Sequence, residues 1–401
     1  MSDVRRQDLS VRGLLAPLQR RGFRRLVCGQ FLSSLGDMVF AVALPFIVLG
    51  RGDAGDLAVM LTLLGVGRLI GAPLGGMLAD RWSPRLIMLV ADFGRAALLA
   101  WLAFSGGGLL GLGVGMAVLG LLEGLFLPAY WAIMPALLEE EELAQGNAVS
   151  ESLMVFAALL GPLIGGIAMA SMSAATVLAV NAVTFLVSAG TLLTVRAGPA
   201  APAAVQGGPG FWAFARGSRL LVAVLFMAGM TQLTSTAMMT VALPVYIDQH
   251  FADGQRVYGL LLGAQGAGLL LGTLAAALVW RLRHRGHLAL GLLVLNGLVL
   301  AAFTHLPGVL APMLAMATLG LVAGVLSVVT LTLVQQISPA AILGRVMAAF
   351  TAVTIAAFPI GAALIGLVVT RQGPESAFLI AGIGVFAVAV IGTAQRAIRN
   401  A

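Results

Sequence analysis

Four charged side chains stand in long apolar runs, where charge is costly: Asp37, Arg68, Arg95 and Glu123. Asp37 lies roughly eleven residues into its run, about 16 Å along a helix at 1.5 Å per residue. A charge at that depth of a bilayer costs at least about 2.5–3.5 kcal/mol unless it is paired or hydrated. Two acids and two bases can neutralise one another. A carboxylate in such a set can also gain and lose a proton, and Arg68 can answer that change by pairing or letting go. Asp37 and Glu123 are therefore the residues expected to do chemistry, with Arg68 as their counter-ion; Arg95 reads as a packing residue.

The elements that must position these groups are written twice. Val42-Ala43-Leu44-Pro45 returns as Val241-Ala242-Leu243-Pro244, Gly120 and Gly124 return as Gly320 and Gly324, and Trp82 and Arg85 return as Trp280 and Arg283, at offsets of 199, 200 and 198 residues. A duplicated apolar half is the mark of a transporter built from two pseudo-symmetric bundles with the path between them. The repeat supplies an internal comparison: Asp37 aligns with Thr236, Arg68 with Gly266 and Glu123 with Ala323. Symmetric packing therefore does not demand the charges.

Composition sets the solvent. Sixty per cent of residues are hydrophobic and 10% charged, whereas a soluble domain carries about a quarter charged residues. Runs of about twenty apolar residues mark membrane spans, placed near 26–49, 57–79, 86–105, 110–134, 148–170 and 175–195, then 219–244, 257–280, 288–305, 309–334, 345–369 and 376–395. The expectation is an all-α membrane protein of twelve helices: an amphipathic segment 1–25, a bundle over 26–195, a linker at 196–218 rich in Pro and Gly, a second bundle over 219–395 and a tail at 396–401. Eighteen arginines fall on the side of the termini and three, Arg51, Arg256 and Arg371, on the other. The positive-inside rule then puts both termini in the cytoplasm, so the net charge of +7 is a topology signal and not a nucleic-acid footprint. There is no Lys, which removes a P-loop ATPase. Cys28 is alone, and His250, His284, His287 and His305 lie in loops or at span ends, so neither a disulfide nor a metal site is expected. No cofactor and no enzymatic activity are expected.

Three motifs narrow the reading. Gly76-Met77-Leu78-Ala79-Asp80-Arg81, with Arg85 beyond it, resembles the Gly-x-x-x-Asp-Arg loop signature of the major facilitator superfamily; Ser83 and Pro84 depart from it, where the family usually has Gly and a base. The resemblance implies a latch that holds the cytoplasmic side closed, with Asp80 facing a helix N-terminus and Arg81 pairing with a carboxylate, Asp92 being the nearest. Gly161-Pro162-Leu163-Ile164-Gly165-Gly166 resembles the helix motif of proton-coupled exporters in that superfamily, where proline permits a bend and the glycines permit close packing. Gln30-Phe31-Leu32-Ser33-Ser34-Leu35-Gly36-Asp37, Leu143-Ala144-Gln145-Gly146-Asn147 and Leu343-Gly344-Arg345-Val346-Met347 are similar to a branch that includes siderophore and macrolide exporters.

Together these features imply a secondary transporter, a proton-coupled exporter of amphipathic small molecules that rocks two halves about a central site. The partners are then a small-molecule substrate, protons and the lipid of a bacterial inner membrane, and the working unit a monomer. An exporter dedicated to one metabolite, an importer or a lipid flippase would use the same fold. Phe126 and Tyr130 from the first half, and Gln232 and Gln335 from the second, are the expected substrate contacts.

Overall fold

The computed structural model describes residues 16–79, 81–105, 107–195, 218–279, 285–338 and 343–394. All regular structure in them is helical. The first half contains α1 (Arg21–Leu49), α2 (Ala54–Ala79), α3 (Pro84–Ser105), α4 (Gly108–Ile133), α5 (Leu143–Ser171) and α6 (Ala174–Leu193). In the second half α7 runs through Arg219–Thr231, two π-helical stretches at Gln232–Thr236 and Met238–Ala242, and Leu243–His250. It is followed by α8 (Gly254–Val279), α9 (Arg285–Ala302), α10 (Leu310–Ile337), α11 (Leu343–Gln372) and α12 (Pro374–Ala394). Each expected span corresponds to one helix, and most helices run a few residues beyond it. The linker as far as residue 217, the tail and the first fifteen residues lie outside the described residues.

Helix is the only form these runs can take in lipid, because it satisfies every backbone group within one segment. Among the described residues eleven helices are long and apolar enough to cross a membrane, and the apolar stretch Pro374–Val390 lies in the twelfth. The outer surface agrees: Phe104, Leu110 and Leu310 are 86%, 84% and 70% exposed. Such an apolar exterior suits hydrocarbon and not water, and the protein is a multi-pass membrane protein.

The sequence repeat is a repeat of contact. Gly120 and Gly124 of α4 lie against the backbone of Leu64, Arg68 and Ala72 of α2, while Gly67 and Gly71 of α2 meet Ala117 and Leu121 of α4. In the second half Gly320 and Gly324 of α10 meet Gln265, Leu269 and Thr273 of α8, and Gly268 and Gly272 meet Ala317 and Leu321. Small residues let two backbones touch where lipid offers no hydrophobic drive. This contact brings Arg68 and Glu123, on neighbouring helices, within reach of each other.

The halves touch on the side away from the linker. There α2 meets α11 through Gly55 and Thr370, Ala58 and Gly366, and Gly65 and Pro359, while α5 meets α8 where Gly166 lies on Gly259 and Gly263 on Leu163. One apolar core on this far side includes residues of both halves, such as Leu44, Leu61, Met238 and Tyr258. On the linker side the core divides. One cluster, with Phe23, Ile87, Tyr130 and Leu138, belongs to the first half, and another, with Leu221, Val334 and Val346, to the second. The molecule is thus closed on the far side and parted on the linker side.

Candidate functional site

A cavity of about 430 Å³ lies between the halves, lined from α1, α2, α4, α7 and α11. Asp37, Arg68 and Glu123 form its charged wall, and Gln232, Thr236, Thr240 and Phe358 stand on the other. The three residues expected to do chemistry therefore share one chamber.

Arg68 Nε is ion-paired with Glu123 Oε2; the Arg68 side chain is 42% exposed and that of Glu123 16%. The pair is accessible enough to be broken by water, a proton or a ligand. The guanidinium also lies 5.9 Å from the ring centre of Phe358, on α11 of the other half. Arg68 thus touches both halves, an ion pair on one side and a ring face on the other.

Asp37 is held from behind. Gly36, beside it, has no side chain, and a Cβ there would overlap Asn181 Oδ1 and stand 2.6 Å from Thr184 Oγ1. The missing atom lets α1 approach α6, so that Asn181 Nδ2 donates to Asp37 Oδ1 at 3.5 Å. On the same side Arg95 Nη1 lies 3.8 Å from Asp37 Oδ2. Arg95 in turn donates from Nη2 to Asp92 Oδ1 at 2.5 Å. Its guanidinium lies over two rings, 4.5 Å from the ring centre of Phe126 and 4.1 Å from that of Phe185.

This arrangement corrects the sequence reading at several residues. Asp92 does not meet Arg81: it is fully buried and bound to Arg95, because the spacing of three places both on one face of α3. Arg81 is exposed, and Asp80 lies outside the described residues. Arg85 serves the first half, donating from Nε to Leu192 O at 2.8 Å and from Nη2 to Leu193 O at 2.6 Å. It caps the carbonyl end of α6, where a cation is favoured. Gly76 makes no close approach, since a Cβ there would meet open space; Gly67, Gly71 and Gly75 do that work on α2. Phe126 and Tyr130 are 3% and 1% exposed and lie inside the first half, because Phe126 covers Arg95 and stacks on Tyr130 at 6.3 Å. Gln335 is exposed near the end of α10, away from the cavity lining. Gln232 is brought to the cavity.

The exporter-type motif divides its labour. Gly161 and Gly165 receive Met38 and Val42 of α1, and Gly166 lies on Gly259 of α8 with Pro162 O beside it. The motif therefore joins the helix carrying Asp37 to the far-side seam between halves. The structure adds Asn181, Phe185 and Phe358 to the site and moves Arg95 from packing to the side of Asp37. The Asp92–Arg95 spacing is the sequence signal for Arg95; the aromatic and amide partners sit in apolar helices where the sequence does not mark which side faces the site.

The sequence profile of the Major Facilitator Superfamily matches residues 26–350. The chain belongs to that superfamily. It is 26% identical over 386 residues to the multidrug efflux pump Tap of Mycobacterium tuberculosis, covering 92% of each chain. It is 25% identical over 387 residues to the enterobactin exporter EntS of Salmonella typhimurium, covering 92% of this chain and 91% of that one. Among solved structures, the nucleoside transporter NupG superposes with a TM-score of 0.74 at 16% identity, over 93% of this chain and 98% of the other. A bacterial homologue of the iron transporter ferroportin in an inward-facing state gives 0.72 at 15% identity, over 94% and 99%. These likenesses show the fold. As a superfamily member with efflux-pump relatives, the chain is a transporter and not an enzyme.

Proposed function

We propose that the protein exports amphipathic small molecules from a bacterial cytoplasm in exchange for protons, as a monomer, with both termini and the linker on the cytoplasmic side. The observation that carries this reading is the one-sided cavity: two carboxylates, Asp37 and Glu123, face a neutral wall of amide, hydroxyl and aromatic groups. The arginine bias supports the orientation, which makes the parted side cytoplasmic and the structure inward-open. The relatives described as an efflux pump and an exporter support the direction of transport.

In this form Arg68 is bound to Glu123, as expected of a carboxylate that has released its proton to the cytoplasm. Cargo enters the open side and settles against Gln232, Thr236 and Phe358. The halves then rock about the central cavity, so that the far side parts and the linker side closes. Protons arriving from outside neutralise a cavity carboxylate, loosen its arginine and weaken the hold on cargo. Each step requires that proton and cargo bind the two forms differently. A mostly apolar cavity with a few polar groups suits amphipathic ligands over sugars. The similarity to enterobactin exporters favours, as second reading, an exporter of one siderophore-like metabolite.

The test is uptake into inverted vesicles under an imposed pH gradient, using compounds first identified by protection of a sensitive host. Asp37→Asn and Glu123→Gln should insert normally, and at least one should abolish gradient-driven accumulation. Retained accumulation in both variants and in the double variant sinks the proton role. Competition by sugars but not by unrelated drugs sinks the cargo class. Competition by one metabolite alone selects the dedicated exporter.

A further inference from the structure

Asp92 and Arg95 lie behind the cavity, are not needed to hold cargo, and form a charge cluster that the cycle above leaves unused. Their geometry is unlike a settled buried ion pair. Arg95 is three-way placed: Asp92 Oδ1 at 2.5 Å, Asp37 Oδ2 at 3.8 Å, and the faces of the Phe126 and Phe185 rings at 4.5 and 4.1 Å. One polar atom of the cluster, Arg95 Nε, is buried without a hydrogen-bond partner, while the Ser188 hydroxyl stands beside Asp92 as a further partner. A buried pair that served packing alone would be expected to satisfy the guanidinium. Ring faces attract a cation without fixing its rotation in the plane. The contacts with Phe126 and Phe185 therefore hold the guanidinium at its depth while letting it turn between two acids.

We propose that Arg95 is a positioning residue for proton coupling, with Asp92 as its alternate partner: Arg95 shares its charge between the two acids while Asp37 is a carboxylate, and turns fully onto Asp92 when Asp37 takes a proton. The inference rests on Asp37 being a proton site. The step itself is simple and balanced. A proton from cavity water adds to Asp37, the Arg95–Asp37 attraction is lost, and the buried Arg95–Asp92 pair remains neutral. Without Asp92, protonation of Asp37 would strand a cation among apolar side chains, so Asp92 is what permits Asp37 to titrate. The other groups facing Asp37 are Arg68 on α2 and Glu123 on α4, engaged with each other, neutral Asn181 on α6, and the neutral residues of α7 and α11 across the cavity.

The cluster predicts shifts of opposite sign. Removing the Asp92 charge leaves Arg95 wholly to Asp37, stabilises the carboxylate and lowers the pH at which it protonates. Removing Arg95 takes away the cation and raises that pH. A single opposite charge within 4–6 Å commonly moves such a midpoint by about 1–3 pH units. The measurement is infrared difference spectroscopy of the full chain in lipid nanodiscs during pH titration, following the carbonyl stretch of protonated carboxyl groups. Wild type should show a band that Asp37→Asn removes. Asp92→Asn should move its midpoint down by about one unit or more, and Arg95→Gln up by a similar amount. If Arg95→Gln does not fold, Asp92→Asn alone still gives the sign. A midpoint unmoved or raised by Asp92→Asn overturns the proposal while leaving Asp37 as a proton site. A band that survives Asp37→Asn unchanged removes the proton role of Asp37, and this inference with it.

Discussion

Adding one methyl group at the far-side seam should push the transporter toward its opposite state. Gly166 of α5 and Gly259 of α8 meet backbone to backbone, and a Cβ on Gly166 would lie 2.9 Å from Gly259 Cα and 3.3 Å from Gln255 O. Neither atom belongs to a flexible side chain, so Gly166→Ala forces the two helices, and with them the two halves, apart. Overpacking of this kind costs about 1–3 kcal/mol. The cost falls on the form closed at the far side; where the halves part there, the methyl group meets no opposing backbone. At about 1.4 kcal/mol per tenfold, the ratio of far-side-open to linker-side-open molecules should rise roughly five- to 150-fold. The assay uses a Cys28→Ser background with a single reporter, Thr354→Cys, on the cavity wall. Alkylation by a membrane-impermeant maleimide is measured from each face, in inverted and right-side-out vesicles. Reactivity from the far side should rise and reactivity from the linker side should fall. Gly190→Ala on α6 is the control, because a Cβ there meets nothing within 4 Å. If Gly166→Ala labels like Gly190→Ala from both faces and transports normally, the seam does not set the conformational balance.

Other expectations follow from the same geometry. Gln232→Leu should change the ranking of transported compounds, read by competition, more than it changes the dependence on the pH gradient, because Gln232 lines the neutral wall and touches no charged group in the site. Phe358→Ala should weaken binding of aromatic cargo and loosen Arg68, seen as lower affinity with intact insertion. Arg85→Ala should lower thermal stability by about 1 kcal/mol through loss of the α6 cap, with vesicle transport retained; a transport-dead but thermally normal variant would assign Arg85 to gating instead.

The architecture was legible because apolar run length and repeat offset are properties of one dimension. Twenty apolar residues must be a span, and Val-Ala-Leu-Pro written twice must be a duplicated bundle. The convergence of Asp37, Arg68 and Glu123 followed from cost: charges at one depth in lipid have to find one another. What the sequence withheld was azimuth. Whether Phe126 faces cargo or Arg95 depends on the rotation of α4 about its axis, and in a helix apolar on nearly every side no amphipathic stripe reports that rotation. For the same reason the sequence reads Arg95 as packing while it stands beside Asp37, and offers Asp92 as the carboxylate nearest to Arg81 while its partner is Arg95, a turn away on its own helix.

The π-helical stretches of α7, Gln232–Thr236 and Met238–Ala242, give that helix something its counterpart α1 lacks over Arg21–Leu49, namely slack. A π turn accommodates an extra residue, and its rewinding as α-helix would rotate one flank against the other by about 100° per residue. Gln232 and Thr236 stand in this stretch. A change of winding there would turn a different α7 side chain to the cavity, opposite the fixed Phe358 of α11. Across from it the charged wall is stiffened by glycine-tight packing and ion pairs. One wall is held by packing and charge, and the other has room to change its grip.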